Sequence, residues 1–397
     1  MKEKYTYTIY ACYLGYIVQA IINNLPPLLF LTFQQEFQIS IEKIGLLITV
    51  NFGVQIVVDF LAARYVDRIG YRTSVIAAHI CSVSGLIGLG ILPGIMEHSY
   101  VGLIIAMTFN AIGGGLIEVL VSPIVEAAPS SKAKEAAMSL LHSFYCWGHV
   151  LVVVMSTVGF RLLGMENWYI LPIIWSIVPF VNIYLFLKVP IRTLVEEEER
   201  MPAGHLLRMR MFWLLFALMV CAGASEQGMS QWASLFAEEG LKQSKMMGDL
   251  LGPCFFAVLM GCSRMFYGKF GERIDLRKFM VGSGILCVAS YLLAVLMKNP
   301  MFALCGCGLC GLSVGIMWPG TFSMSAKLCP QGGTMMFALL ALAGDLGCAA
   351  GPGVVSLVSE HLPAYGLKAG LAAAIVFPGV MVFLLLCNRR KNEKYYQ

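Results

Sequence analysis

Apolar residues along this chain fall into long blocks separated by short polar stretches. Roughly 20 consecutive apolar residues cross the hydrocarbon core of a bilayer as a helix, because each residue adds about 1.5 Å. Blocks of that length cover residues 7–33, 43–64, 73–94, 100–125, 133–161, 168–188, 209–237, 246–267, 278–297, 301–326, 331–359 and 367–387. Hydrocarbon holds no water, so each block must bond its own backbone and therefore be helical. The pattern predicts an all-α membrane protein with twelve transmembrane helices. The first block runs on from about Tyr7 with no small-residue cleavage site, so it reads as a spanning helix rather than a secretory leader.

The one long polar stretch, 189–208, separates the first six blocks from the last six. It holds Glu196–Arg200 between Arg192 and Arg208 and reads as a solvated linker. An internal repeat supports the division. Gly115-Leu116 followed by Pro123 recurs 196 residues later as Gly311-Leu312 followed by Pro319. Asp67–Arg72 has a looser counterpart in Gly268–Arg273, shifted by 201 residues. The expected architecture is two pseudo-symmetric six-helix bundles, 1–188 and 209–397, the second with a short basic tail. A solute site then belongs at the midplane between them. With the N-terminus placed in the cytoplasm, 21 of the 28 basic residues fall inside and six outside. That bias puts both termini and the linker in the cytoplasm, and the short loops point to a plasma (inner) membrane.

Composition narrows the class. Charged residues make up 13% of the chain against about 25% in soluble domains, and mean hydropathy is +0.75. A water-soluble globule is excluded. The net charge of +5 is explained by topology, and no nucleic-acid partner is expected. Thirteen cysteines lie mostly in apolar blocks and read as small buried hydrophobes. Cys305, Cys307 and Cys310 form a C-x-C-x-x-C cluster with no His or carboxylate near it, so no metal or other cofactor is expected. The absence of H-E-x-x-H and G-x-x-x-x-G-K-[ST] argues against an enzyme and against a primary pump.

Charged and amide side chains inside the blocks carry the candidate chemistry. Glu118 lies mid-block, where a charge costs about 3 kcal/mol, and such residues are functional by default. Asn110, Gly114, Glu118 and Ser122 share its helix face, beside the cluster Gly113–Gly115. The first block offers Gln19, Asn23 and Asn24 before a Pro26-Pro27 break that can expose carbonyls. Asn51, Gln55 and Asp59 form one polar stripe on the second, with Asp59 expected near the cytoplasmic end, a gating candidate beside Arg64. Ser139, His142, Tyr145 and His149 share a face of the fifth, where His142 could share a proton with Glu118. On the seventh, Gln227, Ser230, Gln231 and Ser234 form a polar face. Glu226 at its border is either a second site carboxylate or a hydrated group near the outer mouth. Trp318-Pro319 and Asp345 complete the set, with Arg264 one possible partner for Asp345.

Two resemblances give these residues a setting. Ala63-x-x-x-Asp67-Arg68-x-Gly70-x-Arg72 resembles the signature loop of the major facilitator superfamily, with Ala63 where Gly is usual. The resemblance implies that Asp67, Arg68 and Arg72 form a cytoplasmic clamp that gates access. Gly113-x-Gly115-Leu116-x-Glu118-x-x-x-x-Pro123 is similar to the fucose:proton symporter branch, as is the pair Asn23-Asn24. There it implies a glutamate that exchanges a proton during sugar transport. The branch also has an aspartate shortly after the Asn pair. Here Leu25-Pro26-Pro27 follows, so a two-carboxylate relay does not carry over intact.

The function expected is cation-coupled import, by proton or sodium, of a sugar or similar small polar solute. The expected partners are that solute, the coupling cation and the lipid bilayer, and one chain holding both halves is expected to work as a monomer. Efflux of drugs or metabolites is the alternative within transport. A non-transporting membrane sensor or enzyme is the alternative of another class.

Overall fold

The computed structural model describes residues 2–128, 134–191, 203–270, 274–329 and 333–387. Twelve helices among them are long and apolar enough to span a membrane. They are α1 (Tyr5–Phe37), α2 (Ile41–Ala62), α3 (Tyr71–Ile95), α4 (Ser99–Ser122), α5 (Leu141–Leu163), α6 (Ile170–Lys188), α7 (Arg210–Gly240), α8 (Lys245–Tyr267), α9 (Leu276–Leu296), α10 (Pro300–Ser325), α11 (Leu339–His361) and α12 (Leu367–Cys387). No strand occurs among the described residues. Each predicted block corresponds to one span.

An even number of spans brings α1 and α12 to the same end of the bundle, called here the chain-end face; the other is the far face. Neighbour relations repeat after six spans. α1 packs on α5 as α7 packs on α11, and α3 on α4 as α9 on α10. Likewise α2 packs on α4 as α8 on α10, and α3 on α6 as α9 on α12. The two bundles meet through α2 against α11 and α5 against α8. Bulky apolar side chains such as Phe60, Leu162, Phe180 and Phe383 are exposed on the outside of this array. In a membrane that surface meets lipid.

The repeat extends to one cap that sequence comparison did not reveal. Arg72 at the start of α3 donates from Nη1 to the carbonyls of Phe186 (2.5 Å) and Leu187 (3.0 Å), and from Nη2 to that of Val189 (2.7 Å). These are carbonyls at the C-terminus of α6, which no helical N–H reaches. Arg277 at the start of α9 does the same at the end of α12, donating to the Leu385 carbonyl from Nε (3.1 Å) and Nη2. A guanidinium there also meets the negative end of a helix dipole.

Several spans are broken. α1 is helical over Lys2–Asn24, forms a 3-10 turn at Pro26–Leu29 and resumes at Phe30–Phe37. α7 breaks after Ser230 and ends in a π turn, Phe236–Gly240. α8 has a π turn at Leu250–Cys254 containing Pro253, and α10 breaks between Val314 and Met317. Proline lacks an N–H and crowds the preceding turn, which accounts for the breaks in α1 and α8.

Candidate functional site

The break in α1 makes the first connection between the bundles. In an unbroken helix the N–H of residue 27 would bond the carbonyl of Asn23. Pro27 has none. Gln231 of α7 fills the vacancy, donating Nε2 to the Asn23 carbonyl at 3.2 Å. The same amide donates to Gln227 Oε1 at 2.8 Å, and Gln227 Nε2 reaches Glu226 Oε1 at 3.4 Å. The Asn23 side chain accepts from Gln55 Nε2 of α2 at 3.4 Å. Asn24 donates to the Ala20 carbonyl (2.9 Å) and to the Tyr145 hydroxyl (3.4 Å). Amides from α1, α2 and α7 thus form one continuous polar seam with the Tyr145 hydroxyl of α5.

Glu118 joins that seam from α4. Gln19 Nε2 of α1 donates to its Oε2 at 2.5 Å, a short hydrogen bond. Gln19 is buried, whereas Glu118, His142 and Tyr145 are half-buried. One turn from Glu118, Ser122 bonds the Tyr16 hydroxyl at 3.1 Å. Tyr16 also packs on the His142 ring, with centroids 5.2 Å apart. His142 is therefore beside the Glu118 region, held by Tyr16 rather than bonded to the carboxylate. The Ser139 side chain lies outside the described residues. His149 is buried higher on α5.

The glycine cluster lets α2 and α3 approach α4. A Cβ on Gly113 would strike Ser82 and the Ala78 carbonyl of α3. One on Gly115 would come within 3.2 Å of Asp59 Oδ1.

Arg264 corrects the sequence reading. It was expected as a possible partner for Asp345. Instead its Nη2 lies 3.4 Å from Glu226 Oε2, as part of an ion pair from α8 to α7. Glu226 is 7% exposed, so it is not a hydrated group at the mouth. What sequence reasoning missed is the pairing of Arg264 with Glu226, because the sequence does not say which helix faces meet.

Asp345 faces Asp59 instead, across the α2–α11 contact, with the two carboxyls in hydrogen-bonding reach of one another. Both are buried. Trp318 lies over Gly344, next to Asp345, and meets Phe322 edge-on at 6.3 Å. Of the expected gate, Arg72 is engaged with the end of α6, inside its own bundle. The side chains of Arg64, Asp67 and Arg68 lie outside the described residues.

A second charged cluster, at the far face, was not anticipated. Lys245 Nζ lies 3.2 Å from Glu238 Oε1 and 3.1 Å from Asp249, and donates to the Leu28 carbonyl at 2.6 Å. Asp249 also accepts from Ser234 Oγ (2.5 Å) and Thr157 Oγ1 (3.3 Å). The cluster ties α1 and α5 to α7 and α8. Its signal in the sequence was Asp249, a lone acid four residues into an apolar block.

Among the described residues, no group of three or more His, Cys, Asp or Glu side chains is arranged to hold a metal. Cys307 and Cys310 are buried, and Cys310 touches Cys287 at 3.9 Å as a packed thiol.

Twelve spans in two repeated bundles, with a polar seam between them, define a multi-pass membrane protein of transporter architecture. The chain belongs to the Major Facilitator Superfamily, whose family model matches residues 12–352 and, again, 250–394. A bacterial homolog of the human lysosomal transporter Spinster, inward-facing and occupied, has a similar structure: TM-score 0.76 at 15% identity, covering 98% of each chain. Its inward-facing unoccupied form gives a TM-score of 0.73 at 15% identity, covering 99% of this chain and 98% of that one. The E. coli fucose:proton symporter FucP gives 0.67 at 16% identity, covering 97% and 99%. At these identities the likeness concerns the fold. No curated protein sequence matched.

Proposed function

We propose that the chain is a secondary active transporter coupling a cation, proton or sodium, to import of a sugar or similar small polar solute. The observation that carries this reading is the charge balance of the interior. Asp59, Glu118, Glu226 and Asp345 lie within electrostatic reach of one another in a chain, and Arg264 is the guanidinium that answers one of them. Like charges cannot all persist in a low-dielectric interior, so a proton or a small cation must join them. Glu118 is half-buried where Asp59, Glu226 and Asp345 are buried, and is the group best placed to exchange that cation with solution.

The seam offers amide and hydroxyl donors and acceptors from α1, α2, α5 and α7, as hydroxyl-rich solutes require. This favours a polar solute over an apolar drug. In this reading the bundles, 1–188 and 209–397, rock about the seam as a monomer in an inner plasma membrane, with both termini and the 189–208 linker in the cytoplasm. The far-face cluster then closes the outer side. Loading Glu118 and the solute together favours occlusion, and release follows loss of the cation to the inside.

Uptake by proteoliposomes tests this, with labelled sugars and an imposed pH or sodium gradient. Wild type is expected to accumulate solute under one gradient, and Glu118→Gln to retain only exchange. Full gradient-driven accumulation by Glu118→Gln would remove Glu118 from the coupling role.

A further inference from the structure

We infer that Asp59 and Asp345 form a second proton site, separate from Glu118, in which one proton is shared across the interface between the bundles. The geometry is specific. α2 and α11 pack closely along their length. Gly45 faces Ser356 so tightly that a Cβ would collide with the serine, and Thr49 Oγ1 lies 3.5 Å from where a Cβ on Gly353 would be. Further along the same contact the two carboxyls meet. Asp59 is 7% exposed and Asp345 3%. Neither oxygen of Asp59 has a donor, nor does Asp345 Oδ2.

Two ionised carboxylates offer acceptors only, so they have no bond to make and repel at short range. One protonated partner changes both facts. Its O–H donates to the other carboxylate, and the pair carries a single negative charge, as in carboxylate dyads elsewhere. The step is a simple exchange: the pair with one shared proton releases it and leaves two carboxylates that push α2 and α11 apart.

Among the described residues the surroundings supply no alternative counter-charge; the side chain of Arg64, on the same helix as Asp59, lies outside them. From α4 the charge that reaches the pair is Glu118, which is of the same sign. α11 itself adds the thiol of Cys348, one turn away. α1 reaches this side of α2 through Asn23, which is occupied by Gln55. α3 presents His79, engaged by the Val75 carbonyl and Asn182. α7 presents Glu226, already paired with Arg264. α10 contains no Asp, Glu, Lys or Arg, and α12 only Lys368, in its first turn at the far face.

This inference rests on the α2–α11 geometry and not on the identity of any solute. Infrared spectroscopy of the full chain in lipid, titrated with pH, tests it through the carbonyl stretch of a protonated carboxyl. Measured in a Glu118→Gln background, so that a proton on Glu118 adds no band of its own, the chain is expected to show such a band, lost as pH rises. Asp59→Asn and Asp345→Asn added to that background should each remove it, because an Asn amide replaces the shared proton as donor. Glu226→Gln added to it should keep the band.

Persistence of the band in both Asn variants would overturn the site, as would its absence from Glu118→Gln alone. Loss of the band on adding sodium at constant pH would assign the pair to sodium and overturn the proton. If an Asn variant does not fold, Glu118→Gln with and without Glu226→Gln still decides. No pH-dependent carboxyl band in the first, or its loss on adding the second, sinks the proposal. A transporter found not to use protons for uptake would leave it standing.

Discussion

Two charged regions of this molecule behave in opposite ways. At the far face Lys245 stands between Glu238 and Asp249, with Ser234, Thr157 and the Leu28 carbonyl completing the bonds. Deeper in the bundle Glu118 has Gln19, while neither oxygen of Asp59 has a donor, nor does Asp345 Oδ2. The first region is satisfied as it stands. The second holds more negative charge than its described partners answer. Buried charge with its partners in place acts as a fastener, and buried charge without them asks for something mobile to bind.

The largest expected effect separates the two regions. Lys245→Met leaves two acids uncompensated and should lower stability by about 3–5 kcal/mol, read from unfolding in mixed micelles. Glu118→Gln keeps an acceptor for Gln19 and removes one like charge, so stability should hold or rise. Equal losses for the two variants would end the distinction.

Next comes Gln231→Leu. It strands the Asn23 carbonyl and Gln227 Oε1, at a cost of about 1–3 kcal/mol in the same measurement. An unchanged midpoint would mean that the seam does not fasten the bundles.

Arg72→Lys and Arg277→Lys each lose the planar fork that reaches helix-end carbonyls, for about 1 kcal/mol. Similar losses would show that the repeat is energetic as well as geometric, and a large inequality would limit it to shape.

The smallest effect is at Asp275, which caps α9 by accepting from the Lys278 N–H at 3.1 Å. That bond holds its carboxyl below the usual carboxylate range. Its contribution is therefore complete above the ordinary carboxylate pKa and lost as pH falls through the lowered value. Asp275→Ala should cost about 1 kcal/mol at neutral pH, with the gap to wild type closing in acid. A gap that is constant with pH would assign the loss to helix propensity instead.

The spans were legible because hydrophobic length alone decides them. Glu118, Gln19, Asn23 and Gln231 were legible because polar groups at depth stand out against apolar neighbours. What pairs with what was not. Arg264 was matched to Asp345 rather than Glu226 because sequence says nothing of the helix face it occupies. Asp345 went to Asp59 rather than Arg264 because α2 and α11 pack through small residues, a three-dimensional fact. Lys245 did not stand out in the sequence, although its Nζ reaches a carbonyl 217 positions earlier.

Pro27 has a consequence for biosynthesis. The Asn23 carbonyl it leaves open is made 208 residues before the Gln231 amide that fills it. Until α7 follows α1 into the membrane, the first bundle carries an unbonded carbonyl in hydrocarbon, which costs several kcal/mol. The first six spans, synthesised alone, should therefore be easier prey for membrane quality control than the same spans within the complete chain.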